Sequence, residues 1–192
     1  MDEPVYRIPP DWTAEFKAVA MSEVHDWSLE FLKVPDLWKQ TRGAVNGKPL
    51  VVCVLDTGID DTHPDLQGAI LDAKDFTGSM YGHRDRQGHG SWCAGFIAAR
   101  ADNDVGVAGL ANQAQVLVAK VLGDNGAGTD RSIAAGLRRA LDLKLDIISM
   151  SFGGRGMSQE CHELIRAFVK GGGFAFGAAG NDGKDGRGVP LP

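Results

Sequence analysis

From residue 50 onward the chain alternates short, continuously apolar runs with longer stretches in which apolar positions recur every three to four residues. Leu50-Val51-Val52-Cys53-Val54-Leu55 is apolar at every position and rich in β-branched residues. Such a run is too short and too stiff for a helix, and it suits a strand buried on both faces of a parallel sheet. Val116 to Val121, Asp146 to Met150 and Phe174 to Ala179 predict three further strands, and residues 69–76 predict another. A helix is expected over 89–100, where Gly90, Ser91, Ala94, Gly95, Ala98 and Ala99 let other backbone approach closely. Asp130 is placed to cap a second helix with Ile133, Leu137 and Leu141 on one face. Ser158 is placed to cap a third, with a buried stripe of Cys161, Leu164, Ile165, Phe168 and Val169 and a stop at Gly171.

Two successive strand–helix–strand units, 116–150 and 146–179, predict an α/β fold with a parallel sheet and right-handed crossovers. Residues 1–30 are mixed, with Pro4, Pro9, Pro10 and the aromatics Tyr6, Trp12 and Trp27; they predict an extended arm with one short helix. The segment 32–38 reads as a turn into a short helix, and 43–49 as a loop. The expected division is an arm, 1–30, and a single domain portion, 31–192.

Composition narrows the function. The 26 glycines among 192 residues are nearly double the usual share of about 7%, which points to many tight turns or to backbone exposed to a ligand. The net charge of −5, with no basic block, argues against nucleic acid or an anionic membrane as partner. No apolar run approaches the ~18 residues of a membrane span. The acidic start Met1-Asp2-Glu3-Pro4 is followed by no apolar segment, so a cytoplasmic location is expected. Cys53, Cys93 and Cys161 lack metal spacing and read as free thiols.

Functional residues of parallel α/β sheets collect where strands end and helices begin. Asp56, His89, Ser151 and Asn181 all fall at such places. Asp56 ends the first apolar run, and His89 opens the small-residue helix near the positive end of its dipole, where imidazolium is disfavoured unless an acid lies close. An acid that orients a histidine base is two thirds of a catalytic triad.

In their order these segments resemble the subtilisin-like serine proteases. Val54-Leu55-Asp56-Thr57-Gly58-Ile59, followed by His63-Pro64-Asp65-Leu66, resembles that family's aspartate motif, and Gly88-His89-Gly90-Ser91 its histidine motif. Lys120-Val121-Leu122-Gly123 through Gly128 is similar to its substrate-binding strand. Ser149-Met150-Ser151-Phe152-Gly153-Gly154 is similar to its specificity-pocket wall, and Ala178-Ala179-Gly180-Asn181 to its oxyanion-hole segment. The resemblance runs from about residue 32 to 183 and is strongest to the intracellular branch. It implies a three-layer fold, a mostly parallel twisted sheet with helices on both faces, of which the C-terminal part is missing. It also implies peptide-bond hydrolysis on peptide or protein substrates, with His89 as base, Asp56 as its orienter and Asn181 as oxyanion donor. Gly126, Gly128, Ser151, Phe152, Gly153, Ala178 and Gly180 would line the substrate cleft. A structural calcium is implied at Asp65 and Asn103, with carbonyls of Ala101, Val105 and Val107 and the carboxylate of Glu23 completing the shell.

The chain departs from the family pattern at Trp92 and in its nucleophile, and it shares one further feature with the intracellular branch. Trp92 stands where the histidine motif commonly has a second histidine. Tyr6-Arg7-Ile8-Pro9-Pro10 is similar to a short extension with which intracellular members block their own cleft. The nucleophile belongs in a Gly-Thr-Ser-Met-Ala segment, and none of the eight serines (Ser22, Ser28, Ser79, Ser91, Ser132, Ser149, Ser151, Ser158) lies in one. The expectation is therefore a fragment, inert alone. Two other readings stand beside it. One is a catalytically dead relative that binds peptides or a partner; the other is a magnesium-dependent hydrolase using Asp56 as an aspartyl nucleophile, which leaves the His89, Ser151 and Asn181 segments without a role.

Overall fold

The structure is a computed structural model and describes residues 5–8, 23, 27–154 and 156–180. The elements are β1 (Val5–Arg7), α1 (Trp27–Phe31), α2 (Val34–Leu37), β2 (Ala44–Val45), β3 (Lys48–Pro49), β4 (Val51–Asp56), β5 (Ile70–Asp75), α3 (His89–Ala98), β6 (Gln115–Lys120), β7 (Ala127–Thr129), α4 (Asp130–Asp142), β8 (Ile147–Met150), α5 (Gln159–Lys170) and β9 (Phe174–Gly177). Five strands form one parallel sheet in the order β5-β6-β4-β8-β9. The continuously apolar runs occupy its centre, as the pattern of full burial requires.

The period of two along β4 sorts the molecule into three layers. Cys53 and Leu55 point to one face, where they pack with Ile133, Leu137, Cys161 and Phe168 of α4 and α5. Val52 and Val54 point to the other, against Cys93, Ala94 and Ala98 of α3. The α/β architecture read from the sequence is thus observed, with helices on both faces. Asp56 continues the Val52–Val54 alternation, so its side chain emerges on the α3 side of the sheet.

Several local expectations are corrected. Thr129, not Asp130, caps α4: its hydroxyl accepts the Ser132 N–H while the Ser132 hydroxyl accepts the Thr129 N–H, a reciprocal box that leaves Asp130 as the first helical residue. Segment 43–49 is a small hairpin, β2 with β3, turned by Asn46 and Gly47 at positive φ. Glycine-rich 123–128 is not wholly a turn, because Ala127 begins β7. Val169 is 52% exposed, since it lies about 100° around the helix from buried Phe168. Ser158 does cap α5, accepting the Cys161 N–H. Of the arm, β1 pairs antiparallel with β7, and α1 runs across the expected boundary at residue 30.

Candidate active site

The sheet register brings the cleft together at one edge. Asp56 ends β4, and its carbonyl accepts the N–H groups of Val121 (2.9 Å) and Leu122 (3.1 Å), the first residues beyond β6. Ser149 on β8 is level with Val54, so Ser151 leaves the sheet beside Asp56. Ala178 leaves β9 next to Met150, donating its N–H to the Met150 carbonyl. Four neighbouring strands therefore deliver Asp56, the 121–129 segment, Ser151–Gly153 and Ala178–Gly180 to the same carboxyl-end crevice, as is general for such sheets. Asn181 lies outside the described residues.

Asp56 and His89 are both almost fully buried, at 1% and 3% exposure. His89 Nδ1 is 2.8 Å from Asp56 Oδ1. A carboxylate can only accept, so the imidazole donates from Nδ1, which makes Nε2 the acceptor nitrogen of the neutral ring. The same Asp56 oxygen accepts the Thr57 N–H at 2.7 Å, which fixes the carboxylate plane against its own backbone. Asp56 is thus buried, with one oxygen shared between the imidazole and its own backbone.

Sequence reasoning missed the residue that seats the histidine. Asp85 collects five donors: Oδ1 accepts from the Thr57 hydroxyl (2.9 Å) and from the N–H groups of Gln87 (2.9 Å) and Gly88 (2.8 Å), and Oδ2 from the N–H and hydroxyl of Ser91, both at 2.8 Å. These are orphan donors of the loop and first turn of α3, so Asp85 serves as that helix's anionic cap. Thr57 ties the cap to the acid, since its hydroxyl also accepts the Gly90 N–H at 2.9 Å. Gly90 must be glycine, because a Cβ there would collide with the Gly58 carbonyl and press on Asp56. Beneath the loop, fully buried Lys120 donates to the Thr57 carbonyl (2.5 Å) and pairs with Asp124 at 3.1 Å. The signal available for Asp85 was an aspartate three residues before Gly88, the spacing at which an aspartate side chain accepts from backbone N–H groups ahead of it.

Cys93 sits one turn beyond His89, with Sγ 3.8 Å from His89 Nδ1, and Asp56, His89 and Cys93 form a tight buried cluster. Burial pushes the Cys93 thiol well up and the charge of Asp56 adds to this, so it is protonated at neutral pH. Trp92 is 59% exposed, stacks on Phe96 with centroids 5.7 Å apart, and has its ring centroid 6.4 Å from that of the His89 imidazole.

The cleft edges carry an extended chain. Tyr6 pairs opposite Gly128 and Arg7 opposite Ala127. On the other side the Arg7 N–H donates to the Gly153 carbonyl (3.0 Å) and the Gly153 N–H to the Arg7 carbonyl (3.2 Å), while the Ile8 N–H reaches the Gly126 carbonyl (3.2 Å). β1 is thus the middle strand between the two segments that the sequence marks as substrate-binding. Tyr6 enters a pocket against Phe152, their rings edge-to-face at 5.9 Å. Its hydroxyl donates to Asp130 Oδ1 at 2.5 Å.

Of the proposed calcium ligands, Asp65, Asn103 and Glu23 converge on the 101–107 loop. Buried Asp65 accepts the Val107 N–H (2.9 Å) and the Asn103 amide (3.4 Å), Glu23 accepts the Asn103 N–H (3.2 Å), and Asn103 Oδ1 accepts the Val105 N–H (3.0 Å). Among the described residues no lysine or arginine pairs with the Asp65 carboxylate. Asp65 is a carboxylate of the type a hard cation takes, but the groups that meet it here are N–H donors, which a cation would have to displace. His63 is structural, its Nδ1 accepting the Asp65 N–H.

Comparison with known proteins agrees with this geometry. A family model described as the subtilase family matches residues 47–191. The major intracellular serine protease of Bacillus subtilis is 42% identical over 160 residues, covering 81% of this chain and 49% of that protein. An intracellular serine protease of Paenibacillus polymyxa is 40% identical over 159 residues, covering 81% and 47%. Thermitase of Thermoactinomyces vulgaris is 31% identical over 160 residues, covering 83% and 56%. The chain spans about half the length of these relatives.

The Asp85 cap has a pH signature. Burial works to raise its carboxyl, but donations from Ser91, Gly88 and Gln87 together outweigh it and hold the pKa below the ordinary aspartate value. A depressed folded-state pKa contributes stability that is present above the unfolded value of about 3.9 and is lost as pH falls through the folded one. Asp85→Asn should therefore cost about 1–3 kcal/mol at neutral pH. The gap to wild type should narrow below about pH 4, as read by denaturant unfolding across pH. A gap unchanged down to the acid transition would show that the carboxylate charge is not what seats the helix.

Proposed function

The chain belongs to the subtilase family, and we propose that it carries the acid–base and substrate-binding portion of an intracellular serine endopeptidase whose nucleophilic serine lies outside these 192 residues. The observation that carries this reading is the buried 2.8 Å bond between His89 Nδ1 and Asp56 at the edge of a cleft that holds an extended chain. In the proposed reaction His89 Nε2 takes the proton from the serine hydroxyl as its oxygen attacks the peptide carbonyl. Asp56 stabilises the imidazolium, and His89 then passes the proton to the departing amine. Asn181 is assigned the oxyanion on the family resemblance alone. Gly126–Gly128 and Gly153 bind substrate as an added strand. Phe174 and Phe176 on the edge strand β9 are large and exposed, which supports further chain packing over that edge. No helix among the described residues is long and apolar enough to cross a membrane.

A fluorophosphonate probe applied to the protein from its native source should label one serine beyond residue 192. His89→Ala in that protein should lower turnover by about 10⁴–10⁶. Absence of both label and hydrolysis, with peptide binding retained, would favour the catalytically dead reading.

β1 in the cleft supports an inhibitory arm. Arg7→Pro removes the N–H that bonds the Gly153 carbonyl and denies the residue a strand φ. It should raise peptide hydrolysis by the complete enzyme several-fold; unchanged or lower kcat/KM would remove the inhibitory role.

Asp65 and Asn103, with Glu23, are proposed to hold a structural calcium, which would clamp the 101–107 loop to the turn at Asp65. Millimolar calcium should raise the Tm and a chelator lower it, and Asp65→Asn should abolish the response. A calcium-independent Tm in the unmutated chain would dismiss the site.

A further inference from the structure

Tyr6 is 3% exposed although it belongs to a three-residue strand whose next residue, Arg7, is open to solvent. Its ring lies edge-on to Phe152 and close to Cys161, an apolar setting that would suit any aromatic residue. The floor differs in kind. The phenol donates to Asp130 Oδ1 at 2.5 Å, a charge-assisted bond that phenylalanine cannot make.

Asp130 is fixed in place for this contact. It is the first residue of α4, where an acidic side chain is favoured by the helix dipole. The same Oδ1 accepts the Ser158 N–H at 3.3 Å, and the Cys161 thiol lies 3.6 Å from the Asp130 carbonyl and 3.8 Å from Oδ1. The carboxylate is therefore held from two helices and aimed into the pocket. Burial and the bond to Asp130 both push the Tyr6 hydroxyl up, so it remains a donor across the physiological range.

We propose that Asp130 makes this pocket selective for tyrosine, so that peptides lying in the cleft in the register of β1 are chosen for a phenolic hydroxyl at the position of Tyr6. The inference rests on reading the cleft as a peptide groove and adds to it the side chain that the groove prefers. A site built to bond a hydroxyl rejects the analogue lacking it, because the acceptor is then buried without its donor. Lysine would also meet the carboxylate, but its chain lacks the ring that Phe152 packs edge-on, and its ammonium would have to shed water beside the apolar Phe152 and Cys161.

The test uses the full chain with Tyr6→Ala and Arg7→Pro together, which empties the pocket and unpins the arm. Fluorescent eight-residue peptides copy residues 3–10 with tyrosine, phenylalanine or lysine at their fourth position, the place of Tyr6, and binding is read by anisotropy. The tyrosine copy should bind about tenfold tighter than the phenylalanine copy. Adding Asp130→Ala should bring the two within about twofold, by weakening the tyrosine copy and relieving the phenylalanine copy of a buried, unpaired carboxylate. Equal affinities before that substitution would overturn the selectivity, and tighter binding of the lysine copy would overturn it in favour of a cation pocket. Failure of all three copies to bind a chain with native circular dichroism would instead overturn the peptide-groove reading.

Discussion

The structure depends on Asp56 as a junction of backbone and side chain. Its carbonyl accepts two N–H groups from the exit of β6, and its carboxylate accepts from Thr57 and His89. One residue therefore sets both where the segment 121–129 leaves the sheet and where the imidazole stands. The placement follows from a period of two: β4 puts Val52 and Val54 against α3, and Asp56 must follow them to that side. A one-residue slip in β4 would turn the carboxylate toward α4 and leave the imidazole without an acceptor. The register of the central strands, fixed by their apolar burial, is thus the physical origin of the pair.

What hydrophobic pattern dictates was legible, and what depends on hydrogen-bond competition was not. Four of the five sheet strands stood out as short apolar runs, and Asp56 and His89 were visible because they end and begin elements. Asp130 was misjudged as a cap because aspartate and threonine are both good caps, and only the reciprocal Ser132 bond selects Thr129. Asp85 carried no hydrophobic signal at all; its importance lies in five donors converging from a loop and a helix turn. Tyr6 was read as part of an arm, but no local pattern says that a strand of three residues will bury its central ring 124 positions away against Asp130.

The same asymmetry bears on how firmly the arm is held. β1 contributes a few strand hydrogen bonds, and each is worth only about 0.5–1.5 kcal/mol net, because water replaces it when the strand leaves. Tyr6 is different, since a buried aromatic removes on the order of 150–250 Å² from water and its hydroxyl meets a charged acceptor. The tyrosine is therefore the anchor and the strand pairing is the guide. Being part of the same chain, an inhibitory arm would compete with a free peptide at an effective rather than a bulk concentration. On the peptide-groove reading, a free peptide would have to match the Tyr6 contact as well as the backbone ladder to displace the arm, so the pocket that holds the arm would also set what can replace it.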